Sequence, residues 1–121
     1  AERIGHGTSA AQDPALLAHL AERGIPLEVC PTSNVATRAV DSLAEHPLPD
    51  FVRAGVKVTI NSDDPPMFGT TLNQEYLVAA QLLGLGRTGL ASLAQTAVEA
   101  SFAPNQLKMR LVRAIADYAN G

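Results

Sequence analysis

Residues 56–70 read VKVTINSDDPPMFGT and place two aspartates side by side, directly after an apolar run. The alternating apolar residues of VKVTI predict a short β-strand, and the polar residues and prolines beyond them predict where it ends. Asp63 and Asp64 are therefore expected at one strand end, although like charges in adjacent positions repel each other. Two interpretations stay open here: a turn or helix cap, and a functional site.

The functional interpretation of this pair is a metal ligand next to a hydrogen-bond acceptor. Adjacent residues at a strand end point in different directions, so one carboxylate can bind a metal ion while its neighbour faces a substrate. The positive charge of the ion would also lower the cost of holding two carboxylates together.

Two earlier stretches repeat the pattern: RIGHG at residues 3–7 and PLEVCPTSN at residues 26–34. In each, a short β-prone run ends in polar, turn-forming residues. The polar ends begin near positions 6, 31 and 61, and a spacing of roughly 25 to 30 residues is typical of a βαβ unit. The sequence therefore predicts three strands of one kind.

The segments between and after the strands have helical patterns. Asp13 and Pro14 predict the start of the first helix and Gly24 predicts its end. The glycines between residues 84 and 89 are interpreted as a linker, because they do not follow a strand. Helices are predicted over residues 13–24, 49–55, 71–84, 88–102 and 104–119.

Strands that alternate with helices predict an α/β fold with a parallel sheet and right-handed crossovers. In such folds, functional residues gather at the carboxyl ends of the strands. We therefore expect His6, the segment 30–34, and the pair Asp63 and Asp64 to converge in space.

The three histidines of the chain differ in their surroundings. His6 lies between two glycines that leave its ring uncrowded, so it is a candidate base, orienter of water or metal ligand. A loop histidine bonded to backbone is the alternative. His19 is expected on a helix surface, and His46, which precedes a proline, is expected to be structural.

Four further residues carry weaker signals. Cys30 is interpreted as a small buried hydrophobe without a catalytic partner. Ser33 and Asn34 could line the mouth of a site, although capping or turn formation explains them equally well. Glu75 lies in a helical segment and is expected on a solvated face rather than as a general acid.

The length of 121 residues fits one domain, and 46% hydrophobic residues indicate a globular chain. A net charge of −3 without a basic run argues against a nucleic-acid partner. No apolar stretch reaches the length of a membrane span, which argues against a membrane partner. The single cysteine excludes an internal disulfide and fits a reducing compartment, so we expect a cytoplasmic protein.

Four stretches in this order, RIGHG, LEVCPTSN, HPLPDFVRAGVKVTINSDDPPMFGT and LNQEY, closely resemble the adenosine/adenine deaminase family. The resemblance covers essentially the whole chain and weakens after about Gly84. It implies a zinc-dependent aminohydrolase of the amidohydrolase superfamily on a (β/α)8 barrel. The implied substrate is a small purine, and the implied reaction is attack of a zinc-bound hydroxide on C6 with release of ammonia.

The resemblance also implies roles for three residues by position. Asp63 matches the aspartate that binds zinc at the end of the last barrel strand. Asp64 matches the catalytic aspartate that hydrogen-bonds the purine ring at N7. His6 matches the catalytic histidine that holds the hydroxide in place for attack.

Two motifs of the family are absent from this chain: a His-x-His pair, and a His-Ala-Gly-Glu-type segment that supplies a further zinc ligand and the acid for purine N1. Residues 1–121 are thus expected to be the C-terminal portion of a deaminase barrel, comprising its last three βα units and C-terminal helices. The expected partner is the remaining N-terminal part of the barrel, and the fragment alone is expected to be inactive.

The expected function of the complete enzyme is deamination of adenosine to inosine, since the glycine before His6 resembles nucleoside deaminases. The alternatives are an adenine deaminase, an aminodeoxyfutalosine deaminase, and a non-catalytic fragment or assembly module.

Overall fold

The computed structural model describes residues 1–121 and contains one three-stranded parallel sheet. Strands β1 (Ile4–Gly5), β2 (Leu27–Val29) and β3 (Val58–Ile60) pair in the order β1-β2-β3. Leu27 is the register partner of both Ile4 and Val58. The three predicted strands are present, and their carboxyl ends lie at one edge of the sheet.

Seven α-helices and two short 3-10 helices accompany the strands. The 3-10 helices span Thr8–Gln12 and Leu43–Glu45. The α-helices are α1 (Pro14–Arg23), α2 (Pro31–Ala36), α3 (Leu48–Arg53), α4 (Pro65–Phe68), α5 (Leu72–Leu83), α6 (Arg87–Ala100) and α7 (Asn105–Asn120). None of them combines the length and apolar character needed to cross a bilayer.

Helix α1 begins and ends where the sequence predicts. The Asp13 side chain accepts a hydrogen bond from the Leu16 backbone N–H at 3.1 Å, which satisfies one free donor of the first turn. Gly24 closes the helix with φ of 65°, a left-handed conformation that glycine adopts without a steric penalty. Helix α5 is capped in the same way, with Thr71 as its N-cap and Gly84 as its C-cap.

The structure corrects three local predictions. The polar residues after β2 form helix α2 rather than a turn, and those after β3 lead into helix α4; each helix has a proline in its first turn, where the ring is tolerated. Gly89 lies inside α6, so the interpretation of the glycines at 84–89 as a linker holds only for Gly84 and Gly86. Helix α3 begins one residue earlier than expected, at Leu48.

The core forms where helices cover the sheet. All three residues of β3 are buried, as expected for a parallel strand covered on both faces. The largest fully buried apolar side chains are Phe51, Leu27, Leu48 and Val29. Packing of the helices around the sheet fixes the strand ends and hence the residues that follow them.

Candidate active site

His6, Cys30 and Asp63 meet beyond the carboxyl ends of β1, β2 and β3. Their potential ligand atoms, an imidazole nitrogen, a thiol sulfur and a carboxylate oxygen, all lie within 4.8 Å of one another. The parallel register brings together these residues, which are up to 57 positions apart in the chain (63 − 6 = 57). The expected convergence is therefore observed for these three residues.

The backbone is strained at two of these positions. His6 and Asp63 both have φ of 57°, in the left-handed region that side chains with a Cβ rarely occupy. Each such residue costs on the order of 1–3 kcal/mol, and such strain clusters at functional sites. Gly7 follows with φ of 72°, and a Cβ there would lie 2.7 Å from Leu27 Cδ2, so a larger residue would be strained and would displace the buried Leu27 side chain.

Asp63 is held by a hydrogen bond from helix α2. The Ser33 hydroxyl donates to Asp63 Oδ2 at 2.7 Å, and His6 Nε2 lies 3.7 Å from the same oxygen. The side chains of His6 and Asp63 remain 44% and 39% exposed, so direct charge attraction between them is weak. Partial exposure also leaves both groups accessible to a ligand.

His6 is connected to the interior through Asn34. Asn34 Nδ2 lies 3.0 Å from His6 Nδ1, and Asn34 Oδ1 lies 3.0 Å from His46 Nε2. The Leu48 backbone N–H donates to His46 Nδ1, also at 3.0 Å. His46 is buried, as its structural interpretation predicts, and burial lowers its pKa even though the Glu75 carboxylate acts in the opposite direction.

Cys30 is buried as expected, and its thiol does not have the character of a nucleophile. Burial, followed by the carboxylates of Asp63, Glu75 and Glu28, raises the pKa of the Cys30 thiol to about 12. Its Sγ donates a weak hydrogen bond to the Glu28 carbonyl oxygen at 3.6 Å. A protonated thiol is neither a good nucleophile nor a good metal ligand.

Asp64 lies beside the cluster but is not part of it. Its Oδ1 accepts a hydrogen bond from the Met67 N–H at 3.4 Å and so caps helix α4. The capping interpretation of the aspartate pair is thus observed for Asp64. Because Oδ2 takes no part in the cap, the carboxylate retains an acceptor for another group.

Glu75 corrects an expectation, because it is fully buried rather than solvated. Its Oε2 accepts the Thr32 N–H at 3.2 Å and its Oε1 accepts the Thr70 hydroxyl at 3.0 Å. Glu75 thereby connects α5 to the first turn of α2, the helix that carries Ser33 and Asn34. The helical pattern of residues 71–84 hides this role, since it does not show which face of α5 meets α2.

Ser33 and Asn34 are the site residues that the sequence leaves ambiguous. Neither caps a helix; both lie buried within α2 and bond to site residues. Their position directly after the central strand is the only signal in the sequence, and it gains meaning once the residues after β2 are known to be helical.

The donor set of this site fits a zinc ion. Zinc binds carboxylate oxygen as well as imidazole nitrogen and thiolate sulfur, and Asp63 supplies a carboxylate at a partly exposed position beside His6. Asp63 keeps Oδ1 free of the Ser33 hydrogen bond, so its carboxylate can still bind a cation. Cys30 fits less well because burial and the neighbouring carboxylates raise the pKa of its thiol, which disfavours the thiolate that zinc binds.

This parallel α/β fold carries a partly exposed carboxylate and imidazole at its strand ends, where functional residues gather in such folds. The family model described as adenosine deaminase matches residues 1–118, and the chain belongs to this family. The chain is 71% identical over 118 residues to an aminodeoxyfutalosine deaminase of Streptomyces coelicolor, covering 98% of this chain and 30% of that protein. It is 47% identical to an adenine deaminase of Mesorhizobium japonicum, covering 91% of this chain and 34% of that protein.

Solved structures of deaminases have the same fold over this region. The chain superposes on the adenine deaminase from Arthrobacter aurescens with a TM-score of 0.93 and 36% identity, covering 99% of this chain and 37% of that one. An amidohydrolase from Burkholderia ambifaria described with bound Zn gives a TM-score of 0.85 at 23% identity, over 98% of this chain and 34% of that one. The predicted fold class, part of a (β/α)8 barrel, is confirmed, and the chain spans about a third of the length of these relatives.

Glu75 should matter for stability because its buried carboxylate accepts hydrogen bonds from the partly buried Thr32 N–H and the buried Thr70 hydroxyl. Glu75→Ala in the full-length protein should leave the Thr32 N–H without its acceptor, at about 1–3 kcal/mol, whereas the Thr70 hydroxyl can still donate to the Thr71 carbonyl oxygen 3.3 Å away. Glu75→Gln should cost less, because its amide oxygen can accept one hydrogen bond and its NH2 group can donate to the Thr70 hydroxyl. The free energy of unfolding in urea measures both.

The matched control is Glu99→Ala, which removes an exposed glutamate from α6 and should change stability by no more than about 0.5 kcal/mol. Equal effects of Glu75→Ala and Glu99→Ala would contradict the structural role of Glu75.

Proposed function

We propose that the full-length protein containing this chain is a zinc-dependent aminohydrolase that removes the 6-amino group of a purine. The observation that carries the proposal is the meeting of His6 and Asp63, both in strained backbone conformations, with Nε2 and Oδ2 3.7 Å apart at the strand ends. Family membership supports the same reaction class. Two relatives named as deaminases also support it.

In this proposal Asp63 is the one zinc ligand that the chain supplies. The Ser33 hydroxyl fixes the carboxylate through Oδ2 and leaves Oδ1 for the metal. Hydrogen-bonded carboxylates of this kind are held in one orientation, which favours metal binding. Zinc, when bound, supplies the nucleophile by lowering the pKa of a water molecule toward neutrality.

His6 and Asp64 act on the reactants rather than on the metal. His6 holds the attacking oxygen in place near purine C6, and its partial exposure allows that contact. Asp64 accepts a hydrogen bond at N7 of the purine ring, once that nitrogen carries a proton, through the carboxylate oxygen that does not cap α4. Interactions that strengthen as the ring gains charge contribute to kcat rather than only to binding.

The sequence pattern first suggests adenosine as the substrate. Among the possible substrates, however, an aminodeoxyfutalosine-type nucleoside is favoured. The 71% identity to an aminodeoxyfutalosine deaminase exceeds the 47% identity to an adenine deaminase by 24 percentage points (71 − 47) over similar lengths. A relative named adenosine deaminase, from Serratia proteamaculans, also reaches 47% identity, so the choice rests on the higher identity to the aminodeoxyfutalosine deaminase.

Steady-state kinetics of the full-length protein on three substrates tests this choice. We expect kcat/KM for aminodeoxyfutalosine to exceed that for adenosine and adenine by at least about tenfold, a ratio within the reach of differential pocket contacts. A preference for adenosine or adenine would contradict the substrate assignment, and no deamination of any of the three would contradict the aminohydrolase proposal itself.

Substitutions of Asp63 and Asp64 should have different effects on zinc content and on kcat. Asp63→Ala removes an anionic ligand, so zinc content and activity should both fall sharply. Asp64→Asn keeps the shape and the cap but removes the charge; it should retain zinc and lose kcat far more than KM rises. Metal analysis and steady-state kinetics measure both variants.

Asp13→Asn, the same chemical change at the exposed N-cap of α1, is the matched control and should leave zinc and kcat unchanged. Equal zinc loss in the Asp63 and Asp64 variants would make both residues ligands. Full zinc and full activity in both would leave only the capping role.

We further propose that residues 1–121 form the C-terminal portion of a deaminase barrel and need the remaining part of that barrel. Strands β1 and β3 each have only one partner, which leaves two open sheet edges. An apolar groove of about 850 Å³ opens between α5, α6 and α7, and Leu77 and Tyr118 in its lining are well exposed. Exposed apolar area of this kind favours association.

Residues 1–121 prepared alone should accordingly self-associate, bind zinc weakly and show no deaminase activity. Analytical ultracentrifugation, metal analysis and an ammonia-release assay measure the three properties. A monomer that unfolds cooperatively and deaminates a purine would contradict the need for the rest of a barrel. A well-folded but inactive monomer would favour a separate assembly module.

A further inference from the structure

A chain of hydrogen bonds runs from the backbone of α3 through two buried side chains to His6. It begins at the Leu48 N–H, passes through His46 and Asn34, and ends at His6 Nδ1, with each donor–acceptor distance 3.0 Å. Asn34 and His46 are 2% and 4% exposed, so no solvent competes for these groups. No buried side-chain nitrogen or oxygen lacks a hydrogen-bond partner, and this includes those of Asn34 and His46.

The first hydrogen bond of this series fixes which group donates and which accepts in all the others. A backbone N–H can only donate, so His46 Nδ1 accepts the hydrogen bond from Leu48 and carries no proton. A ring without a proton on Nδ1 is neutral and carries its single proton on Nε2, and burial, which lowers the pKa of His46, favours the same neutral form. His46 Nε2–H therefore donates to Asn34, which must present its amide oxygen on that side.

The same logic extends to His6. Because Asn34 presents Oδ1 to His46, its NH2 group faces His6 and donates to Nδ1. Nδ1 of His6 then holds a lone pair, and the proton of the neutral ring lies on Nε2. That nitrogen is the one that faces the Asp63 carboxylate, 3.7 Å away, at the exposed end of the cluster.

We propose that Asn34 and His46 are positioning residues that hold His6 in the tautomer with its proton on Nε2. His6 thereby offers a hydrogen-bond donor, not a lone pair, to the group that binds beside Asp63. The catalytic part of this inference rests on the proposed deaminase function: His6 would orient the attacking oxygen by donating to it. The tautomer itself rests only on the hydrogen bonds of this chain.

The tautomer of His6 can be measured without an assay of enzyme activity. Long-range 1H–15N correlation spectra of 15N-histidine-labelled full-length protein near neutral pH distinguish a protonated ring nitrogen from a bare one. We expect His6 and His46 each to carry a proton on Nε2 and none on Nδ1. A proton on His6 Nδ1, in either a neutral or a charged ring, would overturn the proposal.

Asn34→Asp tests whether the relay, meaning the hydrogen bonds from His46 through Asn34 to His6, controls the tautomer of His6. Aspartate has the same shape but only acceptor oxygens, so it should draw a proton onto His6 Nδ1. We expect that shift in the spectrum, with kcat lowered about 10–100-fold, the usual effect of losing an orienting partner. KM should change by no more than about twofold and zinc content should stay near that of the parent, because neither substrate nor metal contacts Asn34 in the proposed site.

His46→Phe is the neutral counterpart, because it keeps a ring in the interior and removes both hydrogen bonds without adding charge. It should also lower kcat and allow both tautomers of His6. His19→Asn removes an exposed histidine and should change neither the His6 spectrum nor kcat. A loss of kcat in Asn34→Asp with His6 still protonated on Nε2 alone would mean that the added charge acts by itself, and the relay would be rejected.

Failure of this proposal is distinguishable from failure of the proposed function. A parent protein that deaminates no purine would reject the function, while the spectrum of His6 would still decide the tautomer. An active parent with kcat unchanged in both relay variants would reject the relay and leave the deaminase function standing. If a relay variant does not fold, the spectrum of the parent protein remains decisive.

Discussion

Parallel pairing of three short strands is the constraint on which the rest of this structure depends. Because Leu27 pairs with both Ile4 and Val58, the chain leaves all three strands at the same edge of the sheet. His6, Cys30 and Asp63 follow those ends within three residues of each strand. A slip of one residue in any strand would reverse the side-chain faces and disperse the cluster.

Helix α2 converts that proximity into defined geometry. Within one turn it presents Ser33 to Asp63 and Asn34 to His6, two residues that follow different strands. Glu75 holds the first turn of the helix through the Thr32 N–H, so α5 fixes the depth at which α2 sits. Side chains of α2 and α5 thus determine where the His6 and Asp63 side chains point, as orienting residues do in many metal sites.

The sequence was sufficient for the elements whose signals are local. Alternating apolar residues predict the three strands, and the Asp13 and Gly24 caps predict α1 to within a residue of each end. The expected meeting of His6 and Asp63 follows from a general property of parallel sheets and needs no coordinates. The family motifs around these residues made the family recognisable, whereas the proposed choice among substrates required comparison with relatives.

What escaped prediction depends on tertiary contacts. Glu75 looks solvated in its helical pattern, yet it is buried because α2 and the loop at Thr70 close over it. Helix α2 itself is six residues long, too short to be stable from propensity alone, and its polar composition is equally compatible with a turn. The relay through Asn34 and His46 joins positions with no shared periodicity, so only the packed structure reveals it.

The central claim is a division of labour in which Asp63 binds the metal and Asp64 does not. An anomalous difference map at the zinc absorption edge, from crystals of the full-length protein with a purine ligand, tests it most directly. We predict a zinc peak about 2.0–2.2 Å from a carboxylate oxygen of Asp63, the usual zinc–oxygen distance, with Asp64 against the purine ring instead. A zinc ion bonded to both aspartates, or bonded to Cys30 and remote from Asp63, would contradict the account.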